Sequence, residues 1–189
     1  MKKKAIIISI KGVSLTKKEK ILLSEENPWG LILFKRNIKS LYQIQFLINN
    51  IKKITKDKNF PILIDEEGQT VSRLRNLINH NISANYFGNL YDINKNLCIS
   101  IYKEYINSLC KNLIKIGVNI NTIPVLDILR SNTNKIIGNR SFSNKKEIVK
   151  KLGQITVKQC HTNKIISVIK HIPAHGCSIS DSHKKMPKV

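Results

Sequence analysis

The chain has 189 residues, which suits one domain with a substantial buried core. Lysine and arginine number 33 against 12 aspartates and glutamates, giving a formal net charge of +21 at pH 7. The lysines are spread along the whole chain without the interleaved aromatic residues that stack on bases, so the charge indicates a solvated surface and weighs against a nucleic-acid-binding protein.

Strand-like and helix-like segments alternate along the first third of the chain. Short β-branched and apolar runs predict buried strands, and apolar residues at helical spacing predict helices. Ser40 is placed to cap the second of these helices. Strands are predicted at 5–10, 30–34 and 61–64, and helices at 17–23 and 40–54.

The same alternation continues after a polar, asparagine-rich connection at 76–85. A long helix is predicted to end at Gly117, since glycine commonly terminates helices. The last apolar run is β-branched and predicts a buried parallel strand. Helices are predicted at 95–116 and 145–163, and strands at 118–126 and 164–169.

The alternation predicts parallel β/α units, as in a doubly wound sheet or a (β/α)8 barrel of the TIM type. Polar clusters follow at least four strands, and the first strand-to-helix turn lacks a glycine-rich nucleotide-binding motif, which favours the barrel. About five units are present, whereas a closed barrel typically takes about 250 residues. We therefore expect an α/β fold that is an incomplete TIM-type barrel, with residues 1–189 forming a single, C-terminally truncated domain and unpaired strands at both edges.

Polar residues cluster where the predicted strands end. Asp65-Glu66-Glu67-Gly68 follows the third strand, Asp127 the fourth, and Lys170-His171 the fifth. Because functional groups of parallel α/β folds gather at the carboxyl ends of the strands, these positions predict a site. Asp127 is nevertheless interpreted first as a cap of the turn that follows it.

Three of the five histidines lie near the carboxyl terminus, at His171, His175 and His183. Together with Cys177 they supply the nitrogen and sulfur donors that zinc selects, so a metal-dependent hydrolase is one interpretation of this segment. The other two histidines, His80 and His161, have polar neighbours in sequence and are interpreted as surface residues.

Six motifs, taken in order, resemble a known family. They are Leu33-Phe34-Lys35-Arg36-Asn37, Asp65-Glu66-Glu67-Gly68 with Arg73, Pro124-Val125-Leu126-Asp127, Ile137-Gly138-Asn139-Arg140-Ser141-Phe142, Lys170-His171-Ile172-Pro173-Ala174-His175-Gly176 and Asp181-Ser182-His183. This set is similar to the bacterial β-N-acetylglucosaminidases of glycoside hydrolase family 3. The resemblance implies a TIM-barrel β-N-acetylhexosaminidase, free of metal and cofactor, that removes terminal β-linked N-acetylglucosamine from muropeptides in peptidoglycan recycling.

The resemblance also assigns roles to individual residues. Those that would hold the sugar are Asp65, Arg73, Arg140, Lys170 and His171. Their chemistry suits that role, because a carboxylate accepts hydrogen bonds from hydroxyl groups, whereas arginine and lysine donate to hydroxyl oxygens.

By the same resemblance, His183 with Asp181 would be the general acid/base of a retaining mechanism. An imidazolium held by a carboxylate can protonate the leaving oxygen, and the neutral imidazole can then take a proton from water. An imidazole does not repel phosphate as a carboxylate would, so hydrolysis and phosphorolysis both stay open. The family's nucleophilic aspartate would lie after Val189, so we expect either a non-catalytic remnant or a chain completed by a separately encoded C-terminal fragment.

The cysteines and the amino terminus bear on location. The four cysteines lack Cys-x-x-Cys spacing, and the first residues lack the pattern of a signal peptide. No apolar run approaches the roughly 18 to 20 residues that span a bilayer. We therefore expect a cytoplasmic protein with no membrane partner.

Overall fold

The computed structural model describes residues 2–131, 133–178 and 186. One sheet of five parallel strands runs in chain order, β1-β2-β3-β4-β5. A doubly wound sheet reverses its strand order at a switch point, so this consecutive order confirms the predicted barrel type. The strands are β1 Lys4–Ile8, β2 Pro28–Leu33, β3 Ile62–Ile64, β4 Ile120–Asn121 and β5 Ile166–Ser167.

Five α-helices accompany the strands within the described residues, and their ends follow local signals. Ser40 accepts a hydrogen bond from the Gln43 amide at the start of the second helix, as predicted. Gly117 ends the fourth helix in the left-handed conformation, with φ of 92°. The helices are α1 Lys17–Glu25, α2 Leu41–Ile54, α3 Ala84–Ile93, α4 Lys95–Ile116 and α5 Lys146–Thr162.

The core lies where α2, α4 and α5 pack on the sheet. Leu31, Leu33, Ile62 and Ile64 contribute fully buried side chains from β2 and β3. Within the apolar contact between α4 and α5 the hydroxyls of Tyr102 and Thr156 lie 2.7 Å apart, and the sulfur atoms of Cys110 and Cys160 lie 3.8 Å apart. Burial on this scale fixes the strands, and with them the residues at their carboxyl ends. Within the described ranges no helix is long and apolar enough to cross a membrane.

Helix α3 was not predicted, because its sequence offers a weak local signal. It follows the asparagine-rich connection and contains Gly88, which lowers helix propensity. Packing explains that glycine, since a Cβ atom at position 88 would lie only 1.7 Å from the carbonyl oxygen of Phe142. Close approach to that loop and burial of Phe87 therefore select a helix that propensity alone does not.

The prediction that the first and last strands are buried is wrong. Ile6 and Ile7 of β1 are 51% and 45% exposed, and Ile166 of β5 is 59% exposed. Each of these strands pairs along one edge only within the described sheet. The fourth strand is also shorter than predicted, although an isolated bridge from Val125 to Lys170 continues its pairing with the fifth segment.

The interpretation of His80 as a surface residue is wrong, while His161 is exposed as expected. His80 is 3% exposed and stacks on Tyr105 with ring centroids 4.2 Å apart. Its Nδ1 atom lies 3.7 Å from a carboxylate oxygen of Glu66. Tertiary packing under the loop after β3 buries this ring despite its polar neighbours in sequence.

Candidate functional site

Asp65 lies directly after β3 and is held by the neighbouring strand and by its own loop. The Thr122 hydroxyl donates to Asp65 Oδ1 at 2.6 Å, and Arg73 Nη2 donates to Oδ2 at 2.9 Å. Burial opposes ionisation, but the Thr122 hydroxyl, the Lys170 charge and Arg73 outweigh it and hold the pKa of Asp65 below its ordinary value. The carboxylate is therefore ionised at neutral pH and can accept hydrogen bonds.

Glu66 is fully buried and fixes the turn that carries Arg73. Its side chain accepts hydrogen bonds from the Ser72 hydroxyl at 2.5 Å, the Arg73 amide at 2.8 Å and the Leu74 amide at 2.9 Å. The side chain of Asn121 in β4 in turn bonds both the amide and the carbonyl of Glu66. This double anchoring joins the loop to the sheet and aims the Arg73 guanidinium at Asp65.

Glu67 joins two basic residues from distant parts of the chain. Arg140 forms a two-pronged contact with it, Nε to Oε2 at 2.8 Å and Nη2 to Oε1 at 2.9 Å. Lys170 Nζ lies 2.5 Å from Glu67 Oε1, 2.9 Å from the Thr122 hydroxyl and 3.6 Å from Asp65 Oδ1. One connected set of donors and acceptors thus spans the ends of β3, β4 and β5.

Asp127 lies after the β4 segment and binds the chain that follows β5. Its Oδ2 atom is 2.6 Å from His171 Nδ1, and its Oδ1 atom accepts from the amides of His175 and Gly176 at 2.6 and 2.8 Å. Burial opposes ionisation here too, but the hydrogen bonds from His171 and Gly176 outweigh it and lower the pKa of Asp127. The predicted cap would bind the turn directly after Asp127, whereas these contacts join Asp127 to the chain that follows β5.

Comparison with known proteins places this arrangement in a family. Residues 3–189 match the glycosyl hydrolase family 3 N-terminal domain. The chain belongs to this family. The family 3 chain is 31% identical to a β-hexosaminidase of Haemophilus influenzae over 183 residues, which are 97% of this chain and 51% of that protein.

Solved structures agree with this membership. Native NagZ from Neisseria gonorrhoeae superposes with a TM-score of 0.89 and 29% identity, over 96% of the family 3 chain and 53% of that protein. Its complex with N-trifluoroacetyl-D-glucosamine superposes with a TM-score of 0.86 and 29% identity, over the same shares of the two chains. The family 3 chain thus spans about half the length of these relatives.

Of the residues that the sequence singles out in this family 3 domain, some lie within the described part of the chain and others outside it. Four residues, Asp65, Arg73, Arg140 and Lys170, are connected at the carboxyl ends of the strands by direct contacts and through Thr122 and Glu67, and His171 follows Lys170 in the chain and binds Asp127. Asp181 and His183 lie outside the described residues. The substrate-binding and catalytic roles of both groups stay predictions.

Sequence reasoning missed the supporting residues of the site. Glu66 and Glu67 stand in the predicted acidic cluster, yet nothing in their order shows which carboxylate binds its own loop and which binds Arg140 from 73 positions away. Thr122 gave no signal, because a threonine near a strand is common. The position of Asp127 at a strand end was the one available clue to its contacts.

The described residues show no arrangement of side chains that supports the metal-binding interpretation. Among these residues, no group of three or more histidine, cysteine, aspartate or glutamate side chains could hold a metal ion. His171 already directs Nδ1 at Asp127. His183, another of the four predicted ligands, lies outside the described residues, so this interpretation stays a prediction.

Proposed function

We propose that this family 3 domain binds a terminal β-linked N-acetylglucosamine of a muropeptide or oligosaccharide and serves in its hydrolysis. The observation that carries the proposal is the connected polar set at the strand ends, in which Asp65 and Glu67 alternate with Arg73, Arg140 and Lys170. Its five charged groups sum to +1, so the surroundings suit a neutral polyhydroxy ligand better than a polyanion such as nucleic acid.

Each group in the set has a chemical use toward a sugar ring. Ionised Asp65 can accept from two neighbouring hydroxyls, while Arg73 and Lys170 can donate to hydroxyl oxygens. The donors are held by other protein groups before a ligand arrives, which lowers the entropy lost on binding. Glu67 holds Arg140 and Lys170 at the site, with a side chain that is itself 6% exposed.

For the reaction we propose the retaining route that the family resemblance implies. His183, oriented by Asp181, would protonate the leaving oxygen and later take a proton from the attacking water. A carboxylate about 5 Å away would form the glycosyl intermediate. We assign that carboxylate to the half of the relatives that residues 1–189 do not match.

We further propose that a polypeptide segment equivalent to that other half completes the barrel. Two observations support this: β1 and β5 are open along one edge of the described sheet, and an apolar groove of about 810 Å³ lies between α5 and the chain that follows β4 and β5. Apolar side chains along the groove include Leu126, Val149, Val157 and Ile169. We place the assembled enzyme in cytoplasmic peptidoglycan recycling.

Release of 4-nitrophenol from 4-nitrophenyl N-acetyl-β-D-glucosaminide tests the proposal. The chain is assayed alone and with a polypeptide matching the second half of a relative, and each sample is paired with one carrying His183→Ala. We expect turnover in the mixture and its loss in the variant. Sugar binding without turnover in either sample would instead favour a non-catalytic sugar-binding domain, and analysis of the product with added phosphate separates hydrolysis from phosphorolysis.

A further inference from the structure

Asp127 is a fully enclosed carboxylate that touches the side chain of a predicted sugar-binding residue, His171. Its side chain has no exposed surface, whereas that of His171 is 31% exposed. The two carboxylate oxygens have different hydrogen-bond partners. Oδ1 accepts from the amides of His175 and Gly176, and Oδ2 faces His171 Nδ1 at 2.6 Å. Since backbone amides can only donate, Oδ1 is committed to them.

The contact between Asp127 Oδ2 and the His171 ring determines which ring nitrogen carries a proton. The pKa of Asp127 is lowered, so the group is an ionised acceptor at neutral pH and Nδ1 must be the donor. In the neutral imidazole the second nitrogen, Nε2, is then an acceptor. Because Nδ1 faces a fully buried carboxylate, the exposed part of the ring is the opposite edge, which carries Nε2.

We propose that Asp127 is a positioning residue that presents His171 Nε2 as a hydrogen-bond acceptor to the ligand. The assignment rests on the proposed function for the identity of the ligand, an N-acetylglucosamine unit. Lys170 and the two arginines can only donate, so an acceptor on His171 lets this part of the site take the proton of a sugar hydroxyl. With the opposite tautomer, His171 would add another donor to a region already rich in donors.

The same carboxylate also binds the chain segment that leads to the predicted acid/base. The two amides bound by Asp127 lie five to eight residues before Asp181 and His183. Gly176 allows the approach, since a Cβ atom there would lie 2.5 Å from the carbonyl oxygen of Ile128. Thr133 donates to the Gly176 carbonyl at 2.7 Å, and Ser141 donates to the Asp127 carbonyl at 2.5 Å. Asp127 therefore positions both His171 and the start of that segment.

The near-isosteric substitution Asp127→Asn separates this role from simple packing. The amide oxygen of asparagine must face the two backbone amides, which leaves its NH₂ group toward His171. Nδ1 then has to accept, and the proton moves to Nε2. The imidazole ¹⁵N chemical shifts, recorded by long-range ¹H–¹⁵N NMR, report this tautomer directly, with His171→Gln identifying the His171 signals. Asp92→Asn, which removes an exposed carboxylate paired with Lys145, is the matched control.

We expect the unaltered protein and Asp92→Asn to carry the proton on Nδ1, and Asp127→Asn to carry it on Nε2. An unaltered protein with bare Nδ1 or with both ring nitrogens protonated, or an Asp127→Asn protein that keeps the Nδ1 proton, would overturn the proposal. The measurement on unaltered protein decides the matter even if Asp127→Asn fails to fold, because the assignment requires a proton on Nδ1 and none on Nε2 there.

Binding of N-acetylglucosamine, followed by NMR titration, tests the link to the ligand. Asp127→Asn should weaken binding about tenfold, and adding it to His171→Ala should cause little further loss, because His171→Ala has already removed the acceptor that Asp127→Asn turns into a donor. Independent, additive losses would overturn the link. The tautomer is measured without sugar, so if the unaltered protein fails to bind N-acetylglucosamine the proposed function fails while the positioning of His171 by Asp127 is still decided.

Discussion

Removing the Glu66 side chain should destabilise the protein by detaching the loop that carries Arg73. Glu66→Ala deletes an acceptor of three hydrogen bonds, from the Ser72 hydroxyl and from the amides of Arg73 and Leu74. Leu74 is fully buried, so its unsatisfied amide costs about 1 to 3 kcal/mol. The other two donors lie nearer to water and lose about 0.5 to 1 kcal/mol each, for a total of about 2 to 5 kcal/mol.

Urea unfolding followed by fluorescence of Trp29, the single tryptophan, measures this loss. With a slope of about 2 kcal/mol per molar urea, the midpoint of Glu66→Ala should fall by about 1 to 2.5 M. Glu66→Gln keeps an oxygen for the two amides and should lose about 1 kcal/mol. Glu104→Ala, an exposed change on α4, is the control. A midpoint for Glu66→Ala equal to that of the control would refute the anchoring role, as would equal damage from glutamine and alanine.

Three further outcomes follow from the geometry. The pKa values of Asp65 and Asp127 are lowered from 3.8, so the stability they contribute is present above that pH and lost below it. The free energy of unfolding, measured in urea, should decline as the pH falls from 6 to 3, and the decline should be shallower in Asp127→Asn. An equal decline in the two proteins would contradict this. Glu67→Gln should cost about 2 to 4 kcal/mol, because two cations lose their buried partner; thermal unfolding equal to that of the unaltered protein would refute it. Gly88→Ala should cost at least about 2 kcal/mol through its clash with a backbone carbonyl, whereas Gly12→Ala, which meets nothing within 4 Å, should be neutral.

The sequence predicted those parts of the fold whose signals are local. Helix α4 begins and ends where the apolar spacing and Gly117 indicate, and Ser40 caps α2 as expected. The exposure of β1 and β5 could not be read from their composition, because β-branched runs look the same at the edge of a sheet and in its interior. Helix α3 depends on packing around Gly88, which is a property of the folded chain.

The candidate site shows the same division between local and tertiary information. Asp65, Lys170 and His171 could be located because they stand where parallel strands end. The bond between Glu67 and Arg140 joins residues 73 positions apart, and the contact of Asp127 with His171 joins residues 44 apart. The spacing of residues along the sequence does not indicate such pairs, so only the structure identifies the partners. His80 is the clearest case, since it is buried against the ring of Tyr105 and beside Glu66, both distant from it in sequence.

Titration of residues 1–189 with N-acetylglucosamine tests most directly whether the polar set at the strand ends is a sugar site. We expect saturable changes in the NMR spectrum centred on Asp65, Lys170 and His171. Asp65→Asn should weaken binding about tenfold, since it removes an ionised acceptor, while Asp92→Asn should bind as the unaltered protein does. A spectrum that does not change with the sugar, or equal binding by Asp65→Asn, would contradict the assignment of this site.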